Sequence, residues 1–503
     1  MSPLDKLRAL IQRLTPGGGM AERTVKSGAW LAGQNVVGRA LQLGFLAVLA
    51  RVIGPGELGL VGIGLLTLSA TKRFTKIGLN HALIQKVEDD VDSHLNTTWM
   101  LEIGRGVLIS GVLLLAAPFV AGSFFGEPRA VRLIQVLGLS PLLLGFRNPG
   151  IVYFRKDLEF HKEFVYKIGG DIAQFVVGVG YAMVHPTAWA FVFGFVAADV
   201  TKFFISYAIH GYRPYPSFDV DVAKELIDYG KWLTGSSILY FLYSEGDDAF
   251  VGWFLTPTAL AYYQYTYRFS NAPATELSQV VTSVMFPAFS KLQTDPEQLR
   301  NAFGKTIRMS SFVAFPSAIG IAAVAPEFIL TVFGEEWTPA IPAMQVLAFY
   351  GLMRAIGKTF GPVWEAIGRP DYVTKMSAIR VVLIAIFIYP MTDAFGIVGT
   401  ALTVTGIFVF PMLPLDIYIT SRAIDIPVRS IVYEFVYPFL ASVPMGLVVW
   451  SLGRISPFGA PVTLVLLIAV GAVVFSVNVL ALQWVSNWNV TNDFQRIYRN
   501  LAA

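Results

Sequence analysis

Runs of about 20 apolar residues recur along almost the whole chain, and each is long enough to cross the hydrocarbon of a bilayer as a helix. Lipid offers no partner to backbone amides, so a chain of this kind can form only helices or a closed barrel. The runs are too long and too continuously apolar for the alternating strands of a barrel. Hydrophobic residues fill 54% of the 503 positions and charged residues only 14%, against about 25% in soluble domains. A soluble fold of this size could not hide that much apolar surface. The sequence therefore predicts an all-α polytopic membrane protein.

Apolar spans fall at 27–52, 57–83, 96–121, 130–153, 164–184, 188–209, 226–254, 258–289, 303–330, 340–366, 372–390, 395–419, 431–452 and 460–485. That makes about fourteen helices, with boundaries good to a few residues. Basic residues collect in alternate loops: Arg155, Lys156 and Lys162; Arg213 and Lys224; Lys291 and Arg300; Arg369 and Lys375; Arg422 and Arg429. The intervening loops are short and poor in Lys and Arg, apart from Arg129, Arg132 and Arg454. This bias predicts a multi-pass protein of the cell (cytoplasmic) membrane with both termini on the cytoplasmic side. The lead, 1–26, is polar and basic with no apolar core, so it reads as a cytoplasmic segment and not as a cleaved signal peptide. A short amphipathic helix around Leu4–Leu14 would suit the membrane surface.

The chain repeats itself. Gly28-Ala29-Trp30-Leu31-Ala32-Gly33 matches Gly230-Lys231-Trp232-Leu233-Thr234-Gly235, and Pro55 and Leu58 fall on Pro257 and Leu260 in the same register. Further on, Phe125-Gly126-Glu127 precedes Gln135-Val136-Leu137, and Phe333-Gly334-Glu335 precedes Gln345-Val346-Leu347. The first six spans thus pair with the next six. Six is even, so both halves enter the membrane in one direction, a parallel repeat about an axis along the membrane normal. The expected organisation is an N-lobe at 27–210, a C-lobe at 222–420, two added helices at 430–486 and a cytoplasmic tail at 487–503. Two six-helix lobes imply a cleft between them. A charged kink, Glu245-Gly246-Asp247-Asp248, is expected inside the seventh span.

The run GDDAFVGWFLTPTALAYYQYTYRFSNAP, followed by FPAFSKLQTDPEQLR and by Val324-Ala325-Pro326-Glu327, resembles the polysaccharide-transport (Wzx-type) flippases. These belong to the multidrug/oligosaccharidyl-lipid/polysaccharide exporter superfamily, and the colanic-acid and teichuronic-acid exporters are the members it resembles most. The resemblance implies a V-shaped pair of six-helix lobes and alternating access. It implies a cargo, a polyprenyl-(di)phosphate-linked oligosaccharide turned from the cytoplasmic to the outer leaflet for surface polysaccharide assembly. The partners would then be that glycan lipid, the membrane and glycan-assembly proteins. The physical need is independent of the family: a sugar head with a phosphate cannot cross about 30 Å of hydrocarbon unaided.

Ionisable groups inside spans are costly and are candidates for the site. Each also has a plainer reading, as a group reaching the interface along its own stem or paired with a neighbouring helix. Asn35, Arg39 and Gln42 share a face of the first span, with Arg39 near its middle as a phosphate clamp. Lys72, Arg73 and Lys76 lie on one stripe of the second, where they either line an anion-facing wall or have already reached water. Arg354, Lys358, Gly361 and Glu365 form one face of the tenth span, with Gly361 leaving room for a head group. In the eighth, Gln264, Arg268, Asn271 and Thr275 share a face, while Tyr262 and Tyr263 suit an aromatic belt at the outer interface. The expected substrate-binding set is Asn35, Arg39, Lys72, Lys76, Arg268, Arg354 and Lys358.

Among the acids, Glu102 with Arg105, Asp199 with Lys202, and Lys167 with Asp171 have same-helix pairing distances. Glu245, Asp247 and Asp248 have no cation close by on their own helix. They would either bind Na+ or H+ and couple transport to a gradient, or pair with Arg39 or Arg268.

The chain has no cysteine, five scattered histidines, no GxxxxGK[ST] loop and no HExxH helix. Nothing points to a cofactor, a metal or enzyme chemistry, and a net charge of +4 gives no case for nucleic acid. An ion-coupled multidrug antiporter of the same superfamily is the alternative. It would line its cavity with acids and aromatics, whereas the deep stripes here are cationic. A polymerase would need a long outer loop, and the outer loops are short.

Overall fold

The computed structural model describes residues 20–75 and 92–486, and every element in them is helical. The chain forms two compact units, Met1–Thr258 and Ala259–Ala503. The expected surface helix at Leu4–Leu14, Lys76 and the tail at 487–503 lie outside the described residues.

In the first unit, α1 (Met20–Ile53) turns at Gly54 into α2 (Pro55–Phe74). Pro55 opens α2, where its missing N–H costs nothing. Then come α3 (Asp92–Ala117), a π turn (Pro118–Phe124), α4 (Ala130–Leu137), α5 (Leu139–Gly145), a 3-10 turn (Pro149–Val152) and α6 (Tyr153–Lys156). The long helices α7 (Phe160–Val184), α8 (Trp189–Ile209) and α9 (Val220–Phe254) complete it. α9 is continuous, so the acidic cluster at 245–248 does not interrupt the helix as expected. Its backbone amides stay in the ladder, and only its side chains depart from an apolar pattern.

The second unit holds α10 (Pro257–Ser270), α11 (Ala272–Leu292), α12 (Pro296–Val332), a 3-10 turn (Glu335–Ala340), α13 (Ile341–Gly357) and α14 (Phe360–Ala366). It continues with α15 (Pro370–Ile407), α16 (Leu413–Ala423), α17 (Val428–Ile455) and α18 (Ala460–Val485). Phe289, Phe303, Phe360 and Trp364 form its aromatic core. The last two helices pack on α12 and on each other.

All the expected spans fall on helix in their described parts. By length and composition, eight helical stretches among the described residues can cross a membrane. Counting the bent pair Ala130–Gly145 and Pro149–Lys156 as one span makes nine. One stretch, Pro370–Ala423, covers two expected spans, and Gly396 sits in its middle with a non-helical φ of 58°. The described part of the span at 57–83 is helical to Phe74, and those at 164–184, 226–254 and 258–289 are helical, but charged residues or a break interrupt their apolar runs.

The repeat extends to a backbone detail. Pro118 and Pro326 have no N–H, so the carbonyls of Leu114 and Ala322 lose the donor an α-helix would give them. In each unit a glutamine takes its place. Gln135 Nε2 donates to Leu114 O at 3.4 Å, and Gln345 Nε2 donates to Ala322 O at 3.2 Å. Between proline and glutamine lie Gly126 and Gly334, with φ of 68° and 100°, in the left-handed region that glycine enters without strain.

Candidate functional site

The first unit concentrates charge at the C-terminal end of α2. Arg105 of α3 donates to Thr75 O at 2.8 Å and to Lys72 O at 2.9 Å. These carbonyls lie at the C-terminal end of the helix, and a guanidinium there suits the negative end of the helix dipole. Arg105 also meets Glu102 at 3.5 Å, the expected same-helix pair. Its second role, as a cap on α2, is not readable from spacing.

The capped turn points its own cations two ways. Lys72 Nζ donates to Ser140 Oγ at 3.2 Å and lies 5.7 Å from the Phe195 ring centre. Ser140 is fully buried and lies beside the buried Asp199 of α8. Arg73 turns to α9: its Nε and Nη2 donate to Glu245 Oε1 at 3.2 and 2.9 Å, and it stacks 4.8 Å from the Tyr240 ring. Glu245 therefore pairs with Arg73, and not with Arg39 or Arg268. Asp247 is buried and Asp248 half-buried on the same helix. On α1, Arg39 Nη1 donates to Gln42 Oε1 at 3.0 Å, one turn along the shared face, and Asn35 is exposed.

The expected pairs within α7 and within α8 give way to others. Lys202 of α8 reaches Asp171 of α7 at 3.8 Å, and Lys167 takes Glu163 at 2.7 Å. The reason is close packing: a Cβ at Gly170 would collide with the Lys202 stem, so the glycine opens a path across α7. Asp199, freed from Lys202, sits 5% exposed beside Ser140.

The second unit gathers cations around α13. Arg354 Nη1 donates to the Tyr267 hydroxyl at 2.7 Å and Nη2 to Thr275 Oγ1 at 3.5 Å. Arg354 and Arg380 act electrostatically on Lys358, which is exposed at the end of α13. Arg268 is half-buried on α10, and neither it nor Lys358 has a hydrogen-bond or ion-pair partner among the described residues. The continuous face expected from Arg354 to Glu365 is broken, because α13 ends at Gly357 and α14 begins at Phe360. A Cβ at Gly361 would meet Val373 Cγ2 of α15 at 3.9 Å, an ordinary contact distance. Tyr262 donates to Glu336 O at 2.7 Å, but Tyr263 is fully buried and belongs to the core, not to a belt.

Sequence reasoning missed Arg380 and Asp416. Arg380 Nη2 donates to Asp416 Oδ2 at 3.0 Å, and the guanidinium lies 4.5 Å from the Phe408 ring. The side chains are 13% and 3% exposed. The signal was present: both are charges inside apolar spans, the rule that singled out Arg39. The ion pairs thus each tie the fifth expected span of a unit to its sixth, in opposite senses. In the first the acid is on α7, and in the second it is on α16.

Membrane-crossing helices that hold charged groups inside apolar surroundings are the make-up of a membrane transporter. A family model described as polysaccharide biosynthesis protein matches residues 48–342, and the chain belongs to that family. It is 26% identical over 438 residues to the lipopolysaccharide biosynthesis protein WzxC of Escherichia coli (strain K12), covering 86% of this chain and 88% of that one. It is 25% identical over 380 residues to the teichuronic acid biosynthesis protein TuaB of Bacillus subtilis (strain 168), covering 75% and 77%. Among solved structures, the lipid II flippase MurJ in an inward closed conformation matches with a TM-score of 0.71 over 94% of this chain and 99% of that one. At 15% identity that match bears on the fold alone.

Proposed function

We propose that this protein is a flippase for a polyprenyl-(di)phosphate-linked oligosaccharide, moving it from the cytoplasmic to the outer leaflet of the cell membrane for surface polysaccharide assembly. It is a transporter and not an enzyme. Family membership supports the substrate class. The observation that carries the mechanism is Arg354, braced by Tyr267 and Thr275 beside a further cation, Lys358; Arg268 on α10 completes the proposed set. Such a guanidinium is held in place before the ligand arrives, so little ordering entropy is lost when a phosphate binds in its fork. The exposed Lys358 supplies a second, movable charge. Arg39 and Asn35 on α1, with Lys72 near the end of α2 and with Lys76, are the first unit's contribution. Asp247, Asp248 and Glu245 on α9 are the candidates for coupling to Na+ or H+. Both termini face the cytoplasm, and glycan-assembly proteins supply and consume the cargo on either side.

The test is direct. Purified protein is placed in proteoliposomes with a fluorescent polyprenyl-diphosphate oligosaccharide, and head-group access to an impermeant glycosidase is followed. Protein-dependent loss of the protected pool is expected, and Arg354→Ala should slow it about tenfold or more. A protected pool that stays unchanged, while an organic cation is carried instead, would sink the reading.

A further inference from the structure

A pocket of about 460 Å³ opens in the second unit among α12, α17 and α18, lined by Arg308, Tyr433, Glu434, Tyr437, Trp484 and Ser486. None of these residues belongs to the proposed glycan site. Arg308 Nε and Nη2 donate to the two oxygens of Glu434 at 2.7 and 2.8 Å. The pair is neutral as a unit, yet it offers both signs of charge side by side. Tyr433 and Tyr437 stand one turn apart with hydroxyls 3.3 Å from each other and rings 5.4 Å apart. Trp484, 92% exposed, closes the rim at the last turn of the apolar helix α18. Tyr and Trp at the end of a spanning helix mark the depth of lipid head groups.

We infer that this pocket binds the zwitterionic head group of a membrane phospholipid, phosphoethanolamine in particular. The phosphate would lie toward Arg308 and the tyrosine hydroxyls. The ammonium would donate to Glu434 and lie over the Tyr and Trp rings, which attract cations through their faces. Charge decides between head groups. An anionic glycerol head group offers Glu434 only neutral hydroxyl donors and no cation. A choline head group could lie on the rings but has no N–H to give the carboxylate. Only an ammonium beside a phosphate answers both members of the pair. Bound there, the lipid would fasten α17 and α18 to α12.

Native mass spectrometry of the full-length protein tests this, with dioleoyl phosphatidylethanolamine, phosphatidylglycerol and phosphatidylcholine titrated in turn. The assay contains no glycan, so its outcome is independent of the transport reading. Phosphatidylethanolamine adducts should persist about tenfold more than phosphatidylglycerol adducts, the size of one charge-assisted hydrogen bond. Glu434→Gln should erase that preference. Because that change also leaves Arg308 without its partner, Trp484→Ala is the safer second variant, since its side chain is exposed. It should cut the preference several-fold without lowering protein yield. Equal or stronger phosphatidylglycerol binding would overturn the inference, and so would an undiminished preference in Trp484→Ala. Lipid binding that emerges only after removal of residues 487–503 would also overturn it, since the tail would then be the occupant.

Discussion

Arg73 and Glu245, 172 positions apart in sequence, meet at 2.9 Å and join the end of α2 to the middle of α9. The contact gives Glu245 a cation of its own on a neighbouring helix. It also fixes where the α2 turn presents Lys72. Glu245→Gln should therefore lower glycan export, and the exchange Arg73→Glu with Glu245→Arg should restore part of it. Surface polysaccharide scored against membrane protein level checks this. Failure of the exchange with normal protein level would mean that the acid itself is needed.

Arg354→Ala should reduce export about tenfold or more, the loss expected when a charged hydrogen-bonding group is removed from a bound phosphate. Tyr267→Phe should fall between this variant and the parent, because it removes only the 2.7 Å brace. Arg39→Ala should behave like Arg354→Ala. Export at parental level in both arginine variants would remove the clamp from the mechanism.

Asp248→Asn and Asp247→Asn should each blunt the response of export to an imposed Na+ or H+ gradient. The measurement is transport in proteoliposomes with and without ionophore. A parent protein whose rate ignores the ionophore has no coupling ion, whatever the variants do.

Removing one member of the Arg380–Asp416 pair leaves a buried charge uncompensated, a cost of about 3–5 kcal/mol. Asp416→Leu alone should lower the unfolding temperature in detergent more than the double change Arg380→Met with Asp416→Leu. If the double variant is no more stable than the single one, the pair is not the reason for the loss.

Much of this architecture was legible because the bilayer forces it. Apolar runs placed the long helices, and the match of Pro55 with Pro257 and of the two Phe-Gly-Glu turns led to the expectation of a parallel repeat. Side-chain partners were less legible. Spacing along one helix says which groups can pair, but it is silent about the neighbouring helix. Lys202 illustrates this: Asp199 lies one turn away, yet Gly170 lets the lysine cross to Asp171. Arg308 and Arg380 were overlooked for the same reason, since both find their acids more than thirty positions away on other helices.

The glutamines that serve Leu114 and Ala322 have a further consequence for how these helices can move. A proline leaves a weak point in a rod, and a borrowed side-chain donor is a clip that can be let go and retaken at little cost. Gln345→Leu and Gln135→Leu remove the clip but keep the rod, so slowed turnover with undiminished cargo binding is the expected signature. Both units carry the same clip, so each has a joint of the same make.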